Sequence, residues 1–356
     1  MKICFVLPQM LKKPIGGYKM VYEYANRLSA EGHDIGILYL NDNALSRFKM
    51  PSSIRKTAIE IFTIIEPKWF VLDKKVKKYS STKTGIKKIM QRYELAIATG
   101  VDTVEKTLQF FPSAKKAYFI QGYEKWVYTE NEINKTFSLG LDNIVIASWL
   151  KDIVDQHAQK PSLVLKNPID TQVYKVIKQI DKRNSHTIGV LYHEAEHKGF
   201  KYAYEAILQL KKRYPDLKVK MFGTSKPSFE IPQWINFTLN ASQEQTVDIY
   251  NNVAIFLCAT VCEGYGLTGL EAMACGAALV STEYDGVKEY AINEKNALLS
   301  PVADVSSLVN NVIRLMDNSD LRNRIATNGE KYAKSFSWGC AMDILNDYIR
   351  RVERDM

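Results

Sequence analysis

The stretch Val253-Ala-Ile-Phe-Leu-Cys258 is followed by Glu263-Gly-Tyr-Gly-Leu-Thr-Gly-Leu-Glu271-Ala-Met-Ala-Cys-Gly276 and then by Ala277-Ala-Leu-Val-Ser281. The first and last segments are short apolar runs, which are typical of buried parallel strands. The middle segment holds a glycine-rich turn, and we expect a helix to begin at Thr268. A strand, a glycine turn and a helix start present free backbone N–H groups to an anion.

The same stretch carries two carboxylates, Glu263 and Glu271. Carboxylates accept hydrogen bonds from sugar hydroxyls, so the stretch indicates a ligand with both phosphate and sugar. A purely structural alternative exists, because Thr268-Gly-Leu-Glu271 fits a capping box in which Glu271 bonds back to the helix start. That alternative leaves Glu263 and the neighbouring glycines unexplained, and we therefore favour the ligand site.

Outward from this stretch, the chain alternates strand and helix patterns. Residues 3–7, 35–40, 95–98, 117–120, 144–147 and 163–165 are predicted strands of one sheet, with a helix at 18–31. A second series has strands at 188–192 and 217–222, and helices at 200–213 and 242–251. Such alternation predicts an α/β protein with two Rossmann-like, doubly wound parallel-sheet domains facing a central cleft.

The predicted domains are residues 1–168 and 169–337, and a last helix from Trp338 returns to complete the first domain over 338–356. The polar stretch from Asn167 to Ser185 is the predicted linker. With 356 residues and 46% hydrophobic content, the chain is long enough for two cores. No apolar run could span a bilayer or serve as a signal peptide, and five scattered cysteines suit a reducing compartment, so a cytoplasmic protein is expected.

The net charge of +9 has a local source, the basic block of residues 74–92. Its members are Lys74, Lys75, Lys77, Lys78, Lys83, Lys87, Lys88 and Arg92. The block is either a solvated face or a docking face for anionic lipid, which would make the protein peripheral on the inner face of the cell membrane. Only two aromatic residues interleave with it, so nucleic-acid binding is not predicted.

The segment His193-Glu-Ala-Glu-His197 matches the zinc metalloprotease pattern. It directly follows a predicted strand and precedes Gly199, so a polar loop is the favoured interpretation and a zinc hydrolase a remote alternative. Lys198 could reach a phosphate as a point charge. Since the chain has no Asp-x-Asp pair, a divalent metal is not predicted. Gly16-Gly17 is not the spaced dinucleotide fingerprint, so a nicotinamide cofactor is not predicted either, and we expect no cofactor.

Together these residues resemble the retaining glycosyltransferases of family 4, which have the GT-B fold. The resemblance covers most of the chain and rests on the motif from Glu263 to Gly276. Supporting segments are Gly16-Gly17, Asn167-Pro-Ile-Asp170, Lys198-Gly199, Asp285-Gly-Val-Lys-Glu289 and Phe336-Ser-Trp338. Within the family, the chain is similar to bacterial polysaccharide-assembly enzymes, including rhamnosyltransferase-like members.

The resemblance implies transfer of a sugar, without a metal, from a nucleotide-diphosphate sugar to a glycan or lipid-linked acceptor. In that scheme Glu271 binds the ribose, Glu263 holds the donor sugar and Lys198 neutralises the leaving diphosphate. Other implied donor contacts are Gly16, Gly17, Tyr265, Gly266, Leu267 and Thr268. A non-catalytic nucleotide-sugar or glycan binding protein of the same fold is the alternative function.

Three departures from the family pattern affect the expected contacts. The family usually carries an Arg shortly before the Lys, and this chain lacks it. Either Lys198 acts alone or another base, with His193 as the candidate, assists it. A His near the reacting sugar is replaced by Gln121 or Glu124, which become possible acceptor or sugar contacts. Thr268 stands where the family usually has Pro.

Overall fold

The computed structural model describes residues 1–125 and 127–356. Contacts divide the chain into two compact units. The first unit comprises Met1–Leu165 with Met342–Met356, and the second comprises Lys166–Ala341. Both are built on parallel sheets flanked by helices, so the predicted α/β class is confirmed.

Seven parallel strands form the sheet of the first unit, in the order β3-β2-β1-β4-β5-β6-β7. Their bounds are β1 (Lys2–Leu7), β2 (Asp34–Tyr39), β3 (Lys77–Ser80), β4 (Leu95–Ala98), β5 (Lys115–Ile120), β6 (Asp142–Val145) and β7 (Leu163–Val164). The helices are α1 (Gly16–Ala30), α2 (Ser52–Ile65), α3 (Ile86–Met90), α4 (Val101–Phe110), α5 (Glu130–Phe137) and α6 (Ser148–Val154). All of β4 is buried, as expected for a central strand covered on both faces.

The second unit has six parallel strands in the order β10-β9-β8-β11-β12-β13. They are β8 (Thr187–Tyr192), β9 (Lys218–Gly223), β10 (Ile235–Leu239), β11 (Ile255–Cys258), β12 (Ala278–Thr282) and β13 (Ala297–Ser300). The helices are α7 (Phe200–Arg213), α8 (Gln243–Asn251), α9 (Leu267–Ala274), α10 (Val305–Asp317) and α11 (Ser319–Ala333), with 3₁₀ turns at Ile180–Lys182, Glu196–Lys198 and Asp285–Glu289. Strand order reverses between β8 and β11, which makes that position the topological switch point.

The last helix, α12 (Trp338–Arg354), leaves the second unit and packs on the first. The Tyr348 hydroxyl donates to Oδ2 of Asp142 over 3.1 Å, and the N-terminal ammonium of Met1 lies 3.7 Å from the carboxylate of Glu353. A buried apolar stripe that includes Leu345 and Ile349 holds the helix in place.

The segment predicted as a linker is an ordered part of the second unit. Tyr174 and Arg183 are both buried in it. The Arg183 guanidinium donates to backbone carbonyls at the C-terminal ends of α8 and α9, including Tyr250 and Cys275. The linker prediction was wrong because it was based on the polar composition of the segment. Composition does not show that one arginine, Arg183, donates hydrogen bonds to several carbonyls at helix ends.

Candidate functional site

The predicted donor residues lie at one edge of the second sheet. His193 directly follows β8, and the loop that contains Glu263 follows β11. The two strands are neighbours, with Ile255 opposite Ile188, so their carboxyl ends meet at the switch point. Open parallel sheets bind ligands at this position, because the loops diverge there and leave a crevice.

Backbone hydrogen bonds join the two loops. The carbonyl of His197, in the 3₁₀ turn Glu196–Lys198, accepts from the N–H groups of Val261 at 2.8 Å and Cys262 at 3.2 Å. The next residue, Gly199, has φ +66°, and a Cβ there would lie 1.7 Å from the carbonyl oxygen of Ala259. Only glycine allows this approach, and the approach fixes the position of Lys198 beside the β11 loop.

Lys198 and Glu263 form an ion pair between Nζ and Oε1. The two side chains are 21% and 26% exposed, so they reach solvent at the switch point while most of each is covered. The sequence predicted both residues as functional, and the structure brings them into direct contact. A cation and a carboxylate held together can bind a phosphate oxygen and a sugar hydroxyl side by side.

The start of α9 is shaped by Gly266. Its φ is +89°, and a Cβ at this position would meet the Tyr284 hydroxyl at 1.8 Å. The Tyr290 hydroxyl donates to the Gly266 carbonyl over 2.6 Å, which holds the turn closed. Gly266 is the N-cap and supplies no side-chain acceptor, so the helix starts one residue earlier than predicted, at Leu267. Its first turn, with Leu267 and Thr268, is suited to an anionic ligand.

The side chains of Tyr265 and Thr268, on either side of this turn, have different surroundings. Tyr265 is buried, and its ring packs against that of Tyr290 with 5.8 Å between centroids. Tyr265 therefore supports the turn with its side chain and leaves only its backbone for a donor contact. Thr268 lies against Cys258. Burial raises the pKa of the Cys258 thiol to about 12, and a hydrogen bond with Thr268 partly offsets that rise.

Glu271 lies inside α9 and is only 9% exposed. The Tyr250 hydroxyl, on α8, donates to its Oε2 over 3.2 Å. The capping-box alternative is wrong, because the N-cap is Gly266 and Thr268 lies within the helix. A capping box requires its first residue at the N-cap, outside the hydrogen-bonded turn. Glu271 is therefore held by a neighbouring helix.

His193 follows β8 with a defined tautomer. The N–H of Ala195 donates to Nδ1 of His193 over 3.0 Å, which places the proton of the neutral ring on Nε2. Burial, and next the charge of Lys198, lower the pKa of His193. The same two causes lower the pKa of His197. The structure therefore presents His193 as a neutral Nε2–H donor.

The zinc motif requires both histidines on one face of an α-helix. His193 and His197 do not lie on such a face. His193 lies in the loop and His197 in the 3₁₀ turn, with 6.4 Å between their ring centroids. Across residues 1–125 and 127–356, no three His, Cys, Asp or Glu side chains are grouped so that they could hold a metal ion.

The remaining predicted residues belong to the first unit. Gly16 and Gly17 are the first residues of α1, and a Cβ on Gly17 would lie 3.2 Å from the side-chain amide of Gln121. Glu124 lies near a second carboxylate, Asp102, which belongs to no motif in the sequence. Burial, and next the charge of Asp102, raise the pKa of Glu124 to about 7.

Several side chains of the basic block of residues 74–92 already have hydrogen-bond or ion-pair partners within the protein. Lys77 pairs with Asp34, Lys78 donates to the carbonyls of Ile64 and Glu66, and Arg92 donates to the Tyr79 hydroxyl. Among residues 1–125 and 127–356, no helix is long and apolar enough to cross a membrane.

The residues that sequence reasoning missed are tyrosines. Tyr250, Tyr284 and Tyr290 are buried. The Tyr250 hydroxyl contacts Glu271, the Tyr290 hydroxyl contacts the Gly266 carbonyl, and the Tyr284 and Tyr290 hydroxyls contact each other. The only available signal was Tyr250 within the predicted helix 242–251. A tyrosine in an apolar pattern is indistinguishable from a core aromatic until its hydroxyl partner is known.

Curated relatives of this chain are glycosyltransferases. An uncharacterized glycosyltransferase of Methanocaldococcus jannaschii is 22% identical over 58% of this chain and 58% of its own length. An uncharacterized glycosyltransferase of Haemophilus influenzae is 21% identical over 86% of this chain and 88% of its own. The capsular polysaccharide biosynthesis glycosyltransferase CapM of Staphylococcus aureus is 22% identical, and the matched part spans 32% of it.

Solved structures share the fold over the whole chain. Sucrose-phosphate synthase from Thermosynechococcus elongatus has a TM-score of 0.75 at 13% identity, and the match covers 100% of both chains. HepE of Anabaena, solved in complex with UDP and glucose, has a TM-score of 0.74 at 14% identity over 99% of both chains. The predicted GT-B fold is thereby confirmed.

The family comparison covers the region that contains Lys198, Glu263 and Glu271. Residues 175–332 match the family described as "Glycosyl transferases group 1". These residues form most of the second unit, including the switch point between β8 and β11. Over these residues, the second unit is therefore similar to the group 1 glycosyl transferases.

Proposed function

We propose that the protein is a retaining glycosyltransferase that moves a sugar from a nucleotide-diphosphate sugar to a glycan or lipid-linked acceptor. The observation that supports this most is the Lys198–Glu263 ion pair at the switch point, close in sequence to the buried Glu271. A phosphate-binding cation and two hydroxyl-binding carboxylates match the three chemical parts of such a donor.

Each part of the donor has a proposed partner in the second unit. Glu271 accepts from the ribose hydroxyls, and Glu263 accepts from hydroxyls of the transferred sugar. Lys198 and the backbone N–H groups of Leu267 and Thr268 bind the diphosphate. His193 adds a neutral Nε2–H donor where the family carries arginine. The complexes of HepE with UDP-glucose support this assignment by analogy of fold.

In the proposed reaction the bond between the anomeric carbon and the diphosphate oxygen breaks, and a bond to the acceptor oxygen forms on the same face. The acceptor hydroxyl proton passes to the departing diphosphate, so no nucleophile of the protein is required. Lys198 stabilises the charge that develops on the leaving group, and we propose that no metal ion takes part. Activity that persists in the presence of EDTA is the expected result.

The proposed role is assembly of cell-surface polysaccharide on the inner face of the cell membrane. Relatives with such names include CapM and the O-antigen chain mannosyltransferase B of Escherichia coli, which is 26% identical over 32% of this chain. In this proposal the first unit binds the acceptor, with Gln121 and Glu124 as contacts. The exposed members of the basic block contact anionic lipid.

Two measurements test the proposal. Thermal stabilisation by a panel of nucleoside diphosphates identifies the base, since a ligand bound only by the folded state raises Tm. Release of nucleoside diphosphate from the matching sugar donor then tests turnover, and NMR of the product tests whether the anomeric configuration is retained. Tight donor binding without any release or transfer would favour the non-catalytic binding protein. Stoichiometric zinc with chelator-sensitive hydrolysis would favour the zinc hydrolase.

A further inference from the structure

Helix α2 has two apolar faces, and only one of them is covered by the protein. Ile59 and Thr63 are buried where the helix packs against β3. Ile54, Ile61 and Ile65 recur at helical spacing on another face and are 58%, 52% and 52% exposed. Ile64 beside them is 69% exposed. Packing within the chain does not explain why one helix leaves four isoleucines in solvent.

The exposure is concentrated around this helix. Phe48 precedes α2 and Val71 follows it, and they are 61% and 87% exposed. Single exposed apolar side chains are ordinary in soluble proteins, but a group of them marks an interaction surface. We call the four helical isoleucines Ile54, Ile61, Ile64 and Ile65 the α2 patch.

The charges around the α2 patch are mostly positive. Basic residues between positions 47 and 75 are Arg47, Lys49, Arg55, Lys56, Lys68, Lys74 and Lys75, and the acidic residues are Glu60, Glu66 and Asp73. The ammonium of Lys78 donates to the carbonyls of Ile64 and Glu66, which adds a positive charge at the C-terminal end of α2. An apolar helix face with basic neighbours complements an anionic lipid surface. A second copy of the chain would instead bring like charges together.

We propose that α2 lies in the headgroup layer of an anionic bilayer, with Ile54, Ile61 and Ile65 at the acyl boundary. Arg55, at the side of this face, and Lys49, which precedes the helix, then contact lipid headgroups. The assignment differs from one based on the block of residues 74–92, in which Lys77, Lys78 and Arg92 already have partners within the protein. It depends on exposed residues of the first unit and is independent of glycosyl transfer.

The test is flotation of the full chain with vesicles of phosphatidylcholine, with and without phosphatidylglycerol. The protein is expected to float only with the anionic vesicles. The double substitution Ile54→Ser and Ile61→Ser is expected to weaken that binding about tenfold or more, because apolar area inserted at the interface is lost. Ile177→Ser, at a position 68% exposed in the second unit, is the matched control and is expected to bind as the wild type does.

A second pair of variants separates the helix from the basic block. Lys49→Glu with Arg55→Glu is expected to abolish binding, while Lys83→Glu with Lys87→Glu weakens it less. Failure of the wild type to bind anionic vesicles would overturn the proposal, as would unchanged binding by the double serine variant. Self-association that the serine substitutions abolish would assign the α2 patch to a second copy instead. Thermal stabilisation by UDP, measured on every variant, should be unchanged, which keeps this test separate from that of the proposed reaction.

Discussion

The hydroxyl of Tyr250 donates a hydrogen bond to Oε2 of Glu271 over 3.2 Å, and both residues are buried. Tyr250 is on α8 and Glu271 on α9, so the bond joins two helices that are in contact. The bond holds the Glu271 carboxylate in one orientation. Free rotation of that carboxylate would weaken its contact with a ligand. Burial, and next the charge of Glu271, raise the pKa of Tyr250, which keeps the hydroxyl protonated as a donor.

Tyr250→Phe removes this donor and keeps the ring packing. With UDP as the test ligand, chosen because HepE is solved in complex with it, we expect Kd to rise about three- to tenfold, the equivalent of one net hydrogen bond. Affinity for inorganic pyrophosphate, which has no ribose, should stay unchanged if Tyr250 acts through Glu271. Calorimetric titration measures both ligands. Tyr348→Phe, which removes a hydroxyl bonded to Asp142 in the first unit, is the control.

Glu271→Ala removes the proposed ribose acceptor. Because hydrogen bonds to charged groups contribute about 1.5–3 kcal/mol, UDP affinity should fall by about 10- to 100-fold. Glu271→Gln retains one acceptor oxygen and should lose less. Donor binding by the alanine variant close to that of the wild type would show that Glu271 serves packing alone.

Lys198→Met removes the cation proposed to face the leaving group. We expect kcat to fall by about 100- to 1000-fold, the usual effect of losing one preorganised charge-stabilising group. Glu263→Gln should reduce turnover and discrimination between donor sugars while UDP binding remains. Steady-state kinetics checks both. Lys220→Met, which breaks a surface pair with Asp248, should change neither parameter.

His193 predicts a pH dependence of diphosphate binding. Burial and the charge of Lys198 lower its pKa, so the ring is neutral in the free protein near neutral pH. A bound diphosphate favours the charged ring and raises that pKa, so proton uptake accompanies binding. UDP affinity should therefore increase as pH falls from about 8 to about 6.

The control for this dependence is His193→Gln, because UDP itself titrates in the same range. Lys198, His197, Glu194 and Glu263 also act on the His193 charge. The difference in pH profile between wild type and variant isolates the histidine. Identical profiles would show that His193 does not contact the diphosphate.

Gly199→Ala tests the close approach that positions Lys198. Its Cβ would lie 1.7 Å from the Ala259 carbonyl oxygen, so the two loops must separate. We expect the free energy of unfolding to fall by about 3 kcal/mol or more. Gly140→Ala is the matched control, with φ +84° and no atom within 4 Å of the added Cβ. It should cost only about 1–2 kcal/mol, the left-handed backbone penalty. Urea denaturation compares the two.

The sequence by itself determined the architecture. Alternating apolar runs and 3.6-residue periodicity predicted strands such as Leu95–Ala98 and helices such as Phe200–Arg213 with their observed bounds. These elements can be predicted locally, since the spacing of apolar residues that marks a buried strand or a helix face is carried by residues close together in the chain. The motif from Glu263 to Gly276 also located the switch point of the second unit.

Only the tertiary structure decided which residues contact each other at that site. The Lys198–Glu263 pair spans loops after two different strands, and the Tyr250–Glu271 bond joins two helices. Such contacts depend on strand order and on glycines that admit a close approach, neither of which a residue pattern encodes. The capping box at Thr268 was locally consistent and still wrong, because contacts of Gly266 with Tyr284 and Tyr290 set the start of the helix.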